Sequence, residues 1–411
     1  MTIHFADKHA PLPWYSAQDG ELKFAGRKLT AIAREIGSTP FYAYDRSVMS
    51  QKVAMLRRAL PGIRLHYAVK ANPMPAVVAH MLALTDGLDI ASGGELSVAL
   101  AAGAKPTSIS FAGPGKSIHE LQRAIAADIT LNVESERELL AAAKLGAQTS
   151  RRPRIAVRIN ADFELKSSGM KMSGGPKPFG VDAERVPDLL RSMVQIPVDF
   201  QGFHIFSGSQ NLKADALVEA QTKSLALAAE LSHFAPSAVK TVNIGGGFGV
   251  PLFPGEHELD LDPIAANLRA LAPGFKKQLP QAEIALELGR YLVAESGIYV
   301  CEVIERKISR GHTFLICNGG LHHHLAASGN FGQVLRKNYP VVVGNKLNSA
   351  DREVVSVVGP LCTPLDILAE RVELARAEPG DLIVVLQSGA YGLTASPRGF
   401  LGHPEPREVL L

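Results

Sequence analysis

Lys70 closes an apolar run, His66-Tyr-Ala-Val-Lys-Ala-Asn72. Burial at the edge of a partly dry site lowers the pKa of a lysine, and an uncharged amine is what Schiff-base chemistry needs. The plain alternative is a solvated lysine at a strand end. Gly245-Gly-Gly-Phe-Gly249 is a second candidate. Consecutive glycines let backbone N–H groups approach an anion closely, and the alternative is a tight turn. This run is not a dinucleotide fingerprint, because Val250 stands where that motif needs glycine, and no Gly-Lys-Ser/Thr follows. Ala112-Gly-Pro-Gly-Lys-Ser117 ends like a P-loop, but Ser110 occupies the place of its first glycine, so the match is discounted. Glu287-Leu-Gly-Arg290 offers a carboxylate for a basic ring nitrogen or for Arg290 itself. His204 ends another apolar run and reads as a site residue or as a satisfied core histidine. Cys362 sits in Val358-Gly-Pro-Leu-Cys-Thr-Pro364, a turn by its Gly and Pro, where a buried inert thiol is the alternative. His322-His-His324 is not expected to bind metal. Three successive residues cannot face one side of a strand, and no acidic or cysteine partner stands at ligand spacing.

Something must bring these residues together. Eight short β-type runs end in polar or glycine-rich turns: Arg64–Lys70, Gly87–Ser92, Ser108–Gly113, Thr130–Glu134, Arg154–Asn160, Phe200–Phe206, Thr241–Gly245 and Glu283–Glu287. Helix-type stretches rich in Ala and Leu lie between them, such as Glu95–Ala102, Ile118–Ala127, Glu136–Leu145, Val186–Met193 and Leu217–Phe234. Strand–helix alternation implies parallel pairing with right-handed crossovers. Eight units in about 225 residues fit an α/β fold of the (β/α)8 TIM-barrel type, which takes about 250. A doubly wound open sheet is the alternative. In a barrel, Lys70, Ser92, Asn160, His204, Gly245 and Glu287 would converge on the C-terminal mouth, where barrel sites lie. After Arg290 the texture turns β-rich, at Tyr299–Ile304, Thr313–Cys317, Tyr339–Val343, Glu353–Val358 and Asp381–Leu386, which predicts an antiparallel β domain. The expected division is a barrel over 41–289, a β domain over 290–411, and an N-terminal segment, 1–40, that joins the β domain. Glu164–Lys177 lacks periodicity and reads as a long loop, a candidate lid.

Composition narrows the class. The 411 residues are 46% hydrophobic and 20% charged, enough for a large core. Lys and Arg exceed Asp and Glu by 43 − 40 = 3, which argues against a nucleic-acid partner. Three cysteines, Cys301, Cys317 and Cys362, make no disulfide framework. No run is long enough to span a membrane, and Met1–Gln18 lacks the apolar core of a secretory signal. A cytoplasmic protein is expected.

Taken together and in order, these segments resemble the fold-type III pyridoxal-phosphate decarboxylases, the group of diaminopimelate decarboxylase and the eukaryotic-type ornithine decarboxylases. The resemblance runs from about Thr39 to Val409. It rests on Tyr67-Ala-Val-Lys-Ala-Asn72, Asp89-Ile-Ala-Ser-Gly-Gly-Glu95, His204–Gln210, Gly245–Gly249, Glu287-Leu-Gly-Arg290, Gly359-Pro-Leu-Cys362 and Gly389-Ala-Tyr391. It implies an alanine racemase-like barrel and pyridoxal 5′-phosphate as cofactor. Lys70 would hold that cofactor covalently, His204 would stack on its pyridine ring, and Glu287 would pair with the ring nitrogen. Gly245, Gly246 and Gly247, with Arg290 and Tyr391, would surround the phosphate. Ser92, Ser207 and Gly289, from the same motifs, would complete the cofactor contacts. Cys362 would reach the active site of the other subunit of a homodimer and protonate the substrate carbon. Related racemases place an arginine at the ring nitrogen, whereas a glutamate keeps it protonated and favours electron withdrawal, so Glu287 selects decarboxylation. Related inhibitor proteins lose the cofactor residues kept here.

The departures from the family concern the substrate. Diaminopimelate and ornithine decarboxylases carry Glu or Asp directly after the cysteine; here it is Thr363. The Arg-Pro-x-x-Tyr segment that grips the distal carboxylate of diaminopimelate aligns with Ala326-Ala-Ser-Gly-Asn330, and Leu288 replaces the usual Pro. A site built for a charged group rejects analogues strongly, so losing its charges implies that they are no longer read. Leu321–Gly332 most resembles the pyridoxal-dependent decarboxylases of exosortase A systems. A related branch decarboxylates a glutamyl group tethered to an acyl carrier protein, whose distal carboxylate is thioesterified. The expected substrate is an amino acid with a neutral or blocked distal end, free or carrier-bound. An authentic diaminopimelate decarboxylase and a racemase are the alternatives.

Overall fold

The computed structural model describes residues 9–167, 169–333 and 335–411. Residues 1–8, part of the stretch read as lacking a secretory core, and Ser168 of the long loop lie outside them. The chain divides into two compact units. One comprises Lys52–Gly249 and Leu259–Tyr291; the other comprises Met1–Gln51, Val250–Glu258 and Leu292–Leu411.

In the first unit the barrel strands are β1 Arg64–Ala68, β2 Gly87–Ile90, β3 Ile109–Phe111, β4 Thr130–Val133, β5 Arg154–Asn160, β6 Asp199–Ile205, β7 Thr241–Gly246 and β8 Glu283–Leu288. They pair in parallel in the order β5-β6-β7-β8-β1-β2-β3-β4, and β4 pairs again with β5. That closure makes a barrel and excludes the open doubly wound sheet. Each expected β run contains or overlaps one of these strands. Strands covered on both faces read as continuous apolar runs, and β5 is buried along nearly its whole length.

Three successive crossovers share one device. Ser92, Ser117 and Ser135 cap the helices Gly93–Ala101, Ile118–Ala126 and Glu136–Gln148. Each hydroxyl accepts the N–H of a glutamate three residues on: Glu95, Glu120 and Glu138. The glutamates reach back, to the N–H groups of Ala91, Ser117 and Glu134 respectively. Capping satisfies the orphan donors of the first turn and puts negative charge at the positive end of the helix. It fixes where each strand stops, and so where the mouth residues stand.

The second unit is a mostly antiparallel sheet. Its strands run in the order Val341–Val343, Leu382–Val385, Gly297–Ser309, His312–Cys317, Arg352–Val358 and Ile367–Ala375. Phe41–Tyr44 adds antiparallel to Gly297–Ser309, and Arg407–Leu410 adds parallel to Phe41–Tyr44. His312–Cys317 and Arg352–Val358 are also parallel. Ile367–Ala375 and Arg407–Leu410 escaped the sequence reading because charged residues interrupt them. The N-terminal segment forms a meander, Ser16–Gln18, Glu21–Phe24 and Arg27–Lys28, then the helix Leu29–Ile36. Leu22, Phe24, Leu29 and Ile32 bury against Phe41, Ile298, Val300 and Val384.

His322, His323 and His324 are all buried in this unit. The His322 and His323 rings lie 3.7 Å apart, and His323 and His324 both pack against the Tyr299 ring. His323 donates from Nε2 to the Pro404 carbonyl at 3.0 Å, and its Nδ1 lies 3.2 Å from the Tyr299 hydroxyl. His324 Nε2 lies 2.9 Å from Ser388 Oγ. Burial pushes His322 and His324 down to about 3, and His323 to about 4. An unfolded histidine takes up its proton near pH 6.5. Below that pH the unfolded chain binds more protons than the folded one, so stability falls as pH drops, by about 1.4 kcal/mol per pH unit for each histidine. Urea denaturation is expected to show this loss between about pH 6 and pH 4, and His323→Gln is expected to flatten the slope by about one histidine's share. An unchanged slope would contradict the assignment.

Candidate active site

Three side chains meet at the C-terminal mouth of the barrel. Lys70 is not on β1 itself but in the single 3-10 turn Val69–Ala71 that follows it. Its side chain is 43% exposed, and Nζ lies 3.4 Å from Glu287 Oε1. Glu287, near the end of β8, is buried, and its Oε2 lies 3.0 Å from Nε2 of His204, near the end of β6. Burial alone raises the pKa of Glu287. The charge of Lys70, the His204 hydrogen bond and the more distant Arg158 outweigh it and hold the carboxyl well below the usual carboxylate range. A buried carboxylate that stays ionised is suited to stabilising a positive charge beside it. His204 Nδ1 has no partner among the described residues. Lys70 Nζ also stands 5.3 Å from the centre of the Phe206 ring.

Strand β7 lies between β6 and β8, so its end must leave room between His204 and Glu287. That is where the glycines fall. A Cβ on Gly245 would lie 2.7 Å from Phe206 Cδ2, one on Gly246 would lie 2.3 Å from the Glu287 carbonyl oxygen, and one on Gly247 would lie 2.7 Å from the Gly208 carbonyl oxygen. Gly245 and Gly247 also have positive φ, +68° and +77°. The run is bare backbone at the strand end, packed too closely for side chains, and bare backbone N–H groups are what an anion can approach. Gly289 does similar work on the other side of β8: a Cβ there would lie 2.8 Å from the Ala71 Cβ, beside the Lys70 turn. Arg290 opens the short helix Arg290–Val293 directly after it.

Ser92 and Ser207 also stand beyond strand ends, after β2 and β6. The Ser92 hydroxyl is engaged as a helix cap. Ser207 is buried, and its carbonyl accepts the Met172 N–H at 3.0 Å. The long loop is tied there: Met170–Lys171 pairs antiparallel with Gly208–Ser209, and Asn211 Nδ2 donates to the Lys166 carbonyl at 2.7 Å. The two remaining candidates, Cys362 and Tyr391, belong to the β unit. Cys362 is exposed, whereas Cys301 and Cys317 are buried, so the inert-thiol reading suits the latter pair. Tyr391 has a positive φ of 53°, and its ring centre lies 6.2 Å from that of Phe331.

Sequence reasoning assigned no role to a layer of charges beside the triad. Arg158, on β5 and in register with His204, donates to Glu134 Oε1 at 2.9 Å. Glu134 Oε2 accepts the Gly180 N–H at 3.0 Å. Lys116, 1% exposed, donates to the Gly113 and Asn132 carbonyls and to Glu138 Oε1. His66, in register with Glu287, lies 3.4 Å from Asp89 Oδ2. A charged residue inside an apolar strand, as in Arg154-Ile-Ala-Val-Arg-Ile-Asn160, is the signal that marks such positions.

The model of the pyridoxal binding domain of pyridoxal-dependent decarboxylases matches residues 46–294. L-glutamyl-[BtrI acyl-carrier protein] decarboxylase of Niallia circulans is 37% identical over 392 residues, covering 93% of this chain and 91% of that protein. Diaminopimelate decarboxylase of Aquifex aeolicus is 31% identical over 402 residues, covering 97% of this chain and 92% of that protein. The crystal structure of Helicobacter pylori diaminopimelate decarboxylase complexed with L-lysine is similar with a TM-score of 0.83 at 27% identity, covering 93% of this chain and 94% of that one. The chain belongs to the pyridoxal-dependent decarboxylases, in the family of diaminopimelate and ornithine decarboxylases. It is a pyridoxal-phosphate-dependent carboxy-lyase with chemistry like that of diaminopimelate decarboxylase.

The residues at the mouth fit that cofactor: an amine for its aldehyde, an ionised carboxylate for its ring nitrogen and a glycine cradle for its phosphate. Gly247→Ala forces a side chain into a left-handed position against Gly208, a strain of about 1–3 kcal/mol. Fluorescence titration of the apoenzyme with pyridoxal phosphate is expected to show at least about tenfold weaker binding. Unchanged affinity would remove the cradle from the phosphate site.

Proposed function

We propose that the chain decarboxylates an amino acid whose distal end is neutral or blocked, with a carrier-bound aminoacyl group as the leading substrate, and that it works as a cytoplasmic homodimer with shared sites. The carrying observation is that the residues aligned with the relatives' charged grip carry no charge of their own, while the nearby Arg336 turns its guanidinium to the Ser328 and Ile367 carbonyls. Ala326 and Ala327 are buried methyl groups. The Asn330 amide bonds to Ser328 and to the Leu365 carbonyl. The Thr363 hydroxyl accepts the Leu365 N–H at 3.3 Å. None of these offers a charge to a free carboxylate or ammonium. The relative that acts on an acyl-carrier-bound glutamyl group supports the same reading.

Bound pyridoxal phosphate would supply the electron sink for the pair left when carbon dioxide departs. Lys70 would hold the cofactor, and Glu287 would keep its ring nitrogen protonated. His204 orients Glu287 through Nε2 and presents its ring to the cofactor. Gly245, Gly246 and Gly247, with Arg290, would bind the phosphate; Ser92, Ser207 and Gly289 would shape the remaining contacts, and Tyr391 is the further phosphate contact that the resemblance implies. Cys362 of one chain delivers the proton to the substrate carbon in the site of the other. Its exposed thiol and three free cysteines fit a shared site in a reducing compartment.

Carbon dioxide release measured over free and carrier-loaded amino acids tests the substrate reading. Free meso-diaminopimelate is expected to be at least about 100-fold poorer in kcat/KM than the best neutral-ended or carrier-loaded substrate. Normal efficiency on free meso-diaminopimelate would overturn it. Glu287→Gln is expected to lower kcat by about 100-fold or more while the cofactor remains bound, as its absorbance would show. Unchanged turnover would refute the role of Glu287.

A further inference from the structure

Asp366 lies in the β unit and is 2% exposed. Its carboxylate is shared between two loops. Oδ1 accepts the Leu321 N–H at 2.6 Å, and Oδ2 accepts the Leu361 N–H at 2.8 Å. Its own carbonyl accepts the Gly359 N–H at 3.0 Å. Leu361 immediately precedes Cys362. Leu321 opens the turn that runs on to Ala326–Asn330, the stretch that replaces the charged grip of the relatives.

The space around the carboxylate is built for it. A Cβ on Gly320 would lie 2.2 Å from Oδ1, and one on Gly359 would lie 2.3 Å from Oδ2. Two further contacts fasten the same segments. Arg336 donates to the Ser328 carbonyl and, at 2.6 Å, to the Ile367 carbonyl. Asn330 Nδ2 donates to the Leu365 carbonyl at 3.4 Å. Asp366 differs from these because its bonds reach the residue next to the thiol. A loop held by one buried side chain has its ordering entropy removed before the substrate arrives.

We propose that Asp366 is a positioning residue: its carboxylate locks the Cys362 loop to the 320–330 turn, so that the thiol and the substrate-facing stretch are held as one piece. This rests on the reading of Cys362 as proton donor and adds what aims it. The chemistry requires an aspartate. Both oxygens must accept, whereas an asparagine offers one acceptor and turns its NH2 towards the other N–H, leaving that buried donor unpaired.

The test compares the Asp366→Asn, Cys362→Ser and double-variant holoenzymes. Hydrogen exchange is expected to rise about tenfold or more at whichever of the Leu321 and Leu361 amides loses its acceptor in Asp366→Asn, with the strand Gly297–Ser309 unchanged. In the same variant kcat is expected to fall about tenfold with KM little altered, and Asp366→Asn is expected to add no further loss to Cys362→Ser. Unchanged exchange at both amides would overturn the clamp. Additive losses in kcat would overturn action through Cys362. If Cys362→Ser left turnover intact, the proton-donor reading would fail, and exchange would still decide whether Asp366 joins the loops. Should Asp366→Asn not fold, Gly359→Ala displaces the same carboxylate from the opposite side and is judged by the same exchange and kinetics.

Discussion

A buried carboxylate kept ionised by its neighbours is the feature on which the barrel site depends. Glu287 pays a desolvation cost that would by itself favour its neutral form. Lys70 at 3.4 Å and His204 at 3.0 Å reverse that preference. The three groups come from the ends of β1, β6 and β8. In the closed barrel β6, β7, β8 and β1 are successive neighbours, so the arrangement needs only the Lys70 side chain to reach from the turn after β1 to the end of β8. The end of β7 packs so closely on its neighbours that it admits no side chains, and this, with the positive φ at Gly245 and Gly247, accounts for the glycine run.

The supporting layer works by the same rule. Arg158 and Glu134, and Lys116 with Glu138, are buried charges, which a protein interior tolerates only when paired and hydrogen-bonded. They join β5 to β4, and the loop after β3 to β4 and the helix that follows it. The serine–glutamate caps of three successive helices act one level lower, by fixing where strands end.

The β unit carries different work. Its strands form a core with the N-terminal meander, and the residues proposed to act on the substrate lie in loops around Gly320 and Gly359, where backbone donors need a buried acceptor. Within the family, the cofactor residues stay recognisable while the residues proposed to face the far end of the substrate have lost their charge. Chemistry that serves every substrate constrains one set of residues; the reading of one substrate constrains the other.

Much of this was readable along the chain. Period-two and period-three-to-four patterning and turn residues are local, so the eight barrel strands, most of their helices, and Lys70, His204, Glu287 and the glycine run could be located before any contact was known. The strands Ile367–Ala375 and Arg407–Leu410 could not, because their charges break the apolar pattern and their place comes from pairing. Nor could the partners. Lys70 and Glu287 are 217 residues apart and His204 and Glu287 are 83 apart. The choice between a Glu287–Arg290 pair and this triad lay outside local pattern, as did the two loops that meet at Asp366. Hydrophobic spacing determines which residues end strands; only closure of the barrel and packing of the loops decide which of those ends share a pocket, because distance in space is set by the whole set of pairings at once.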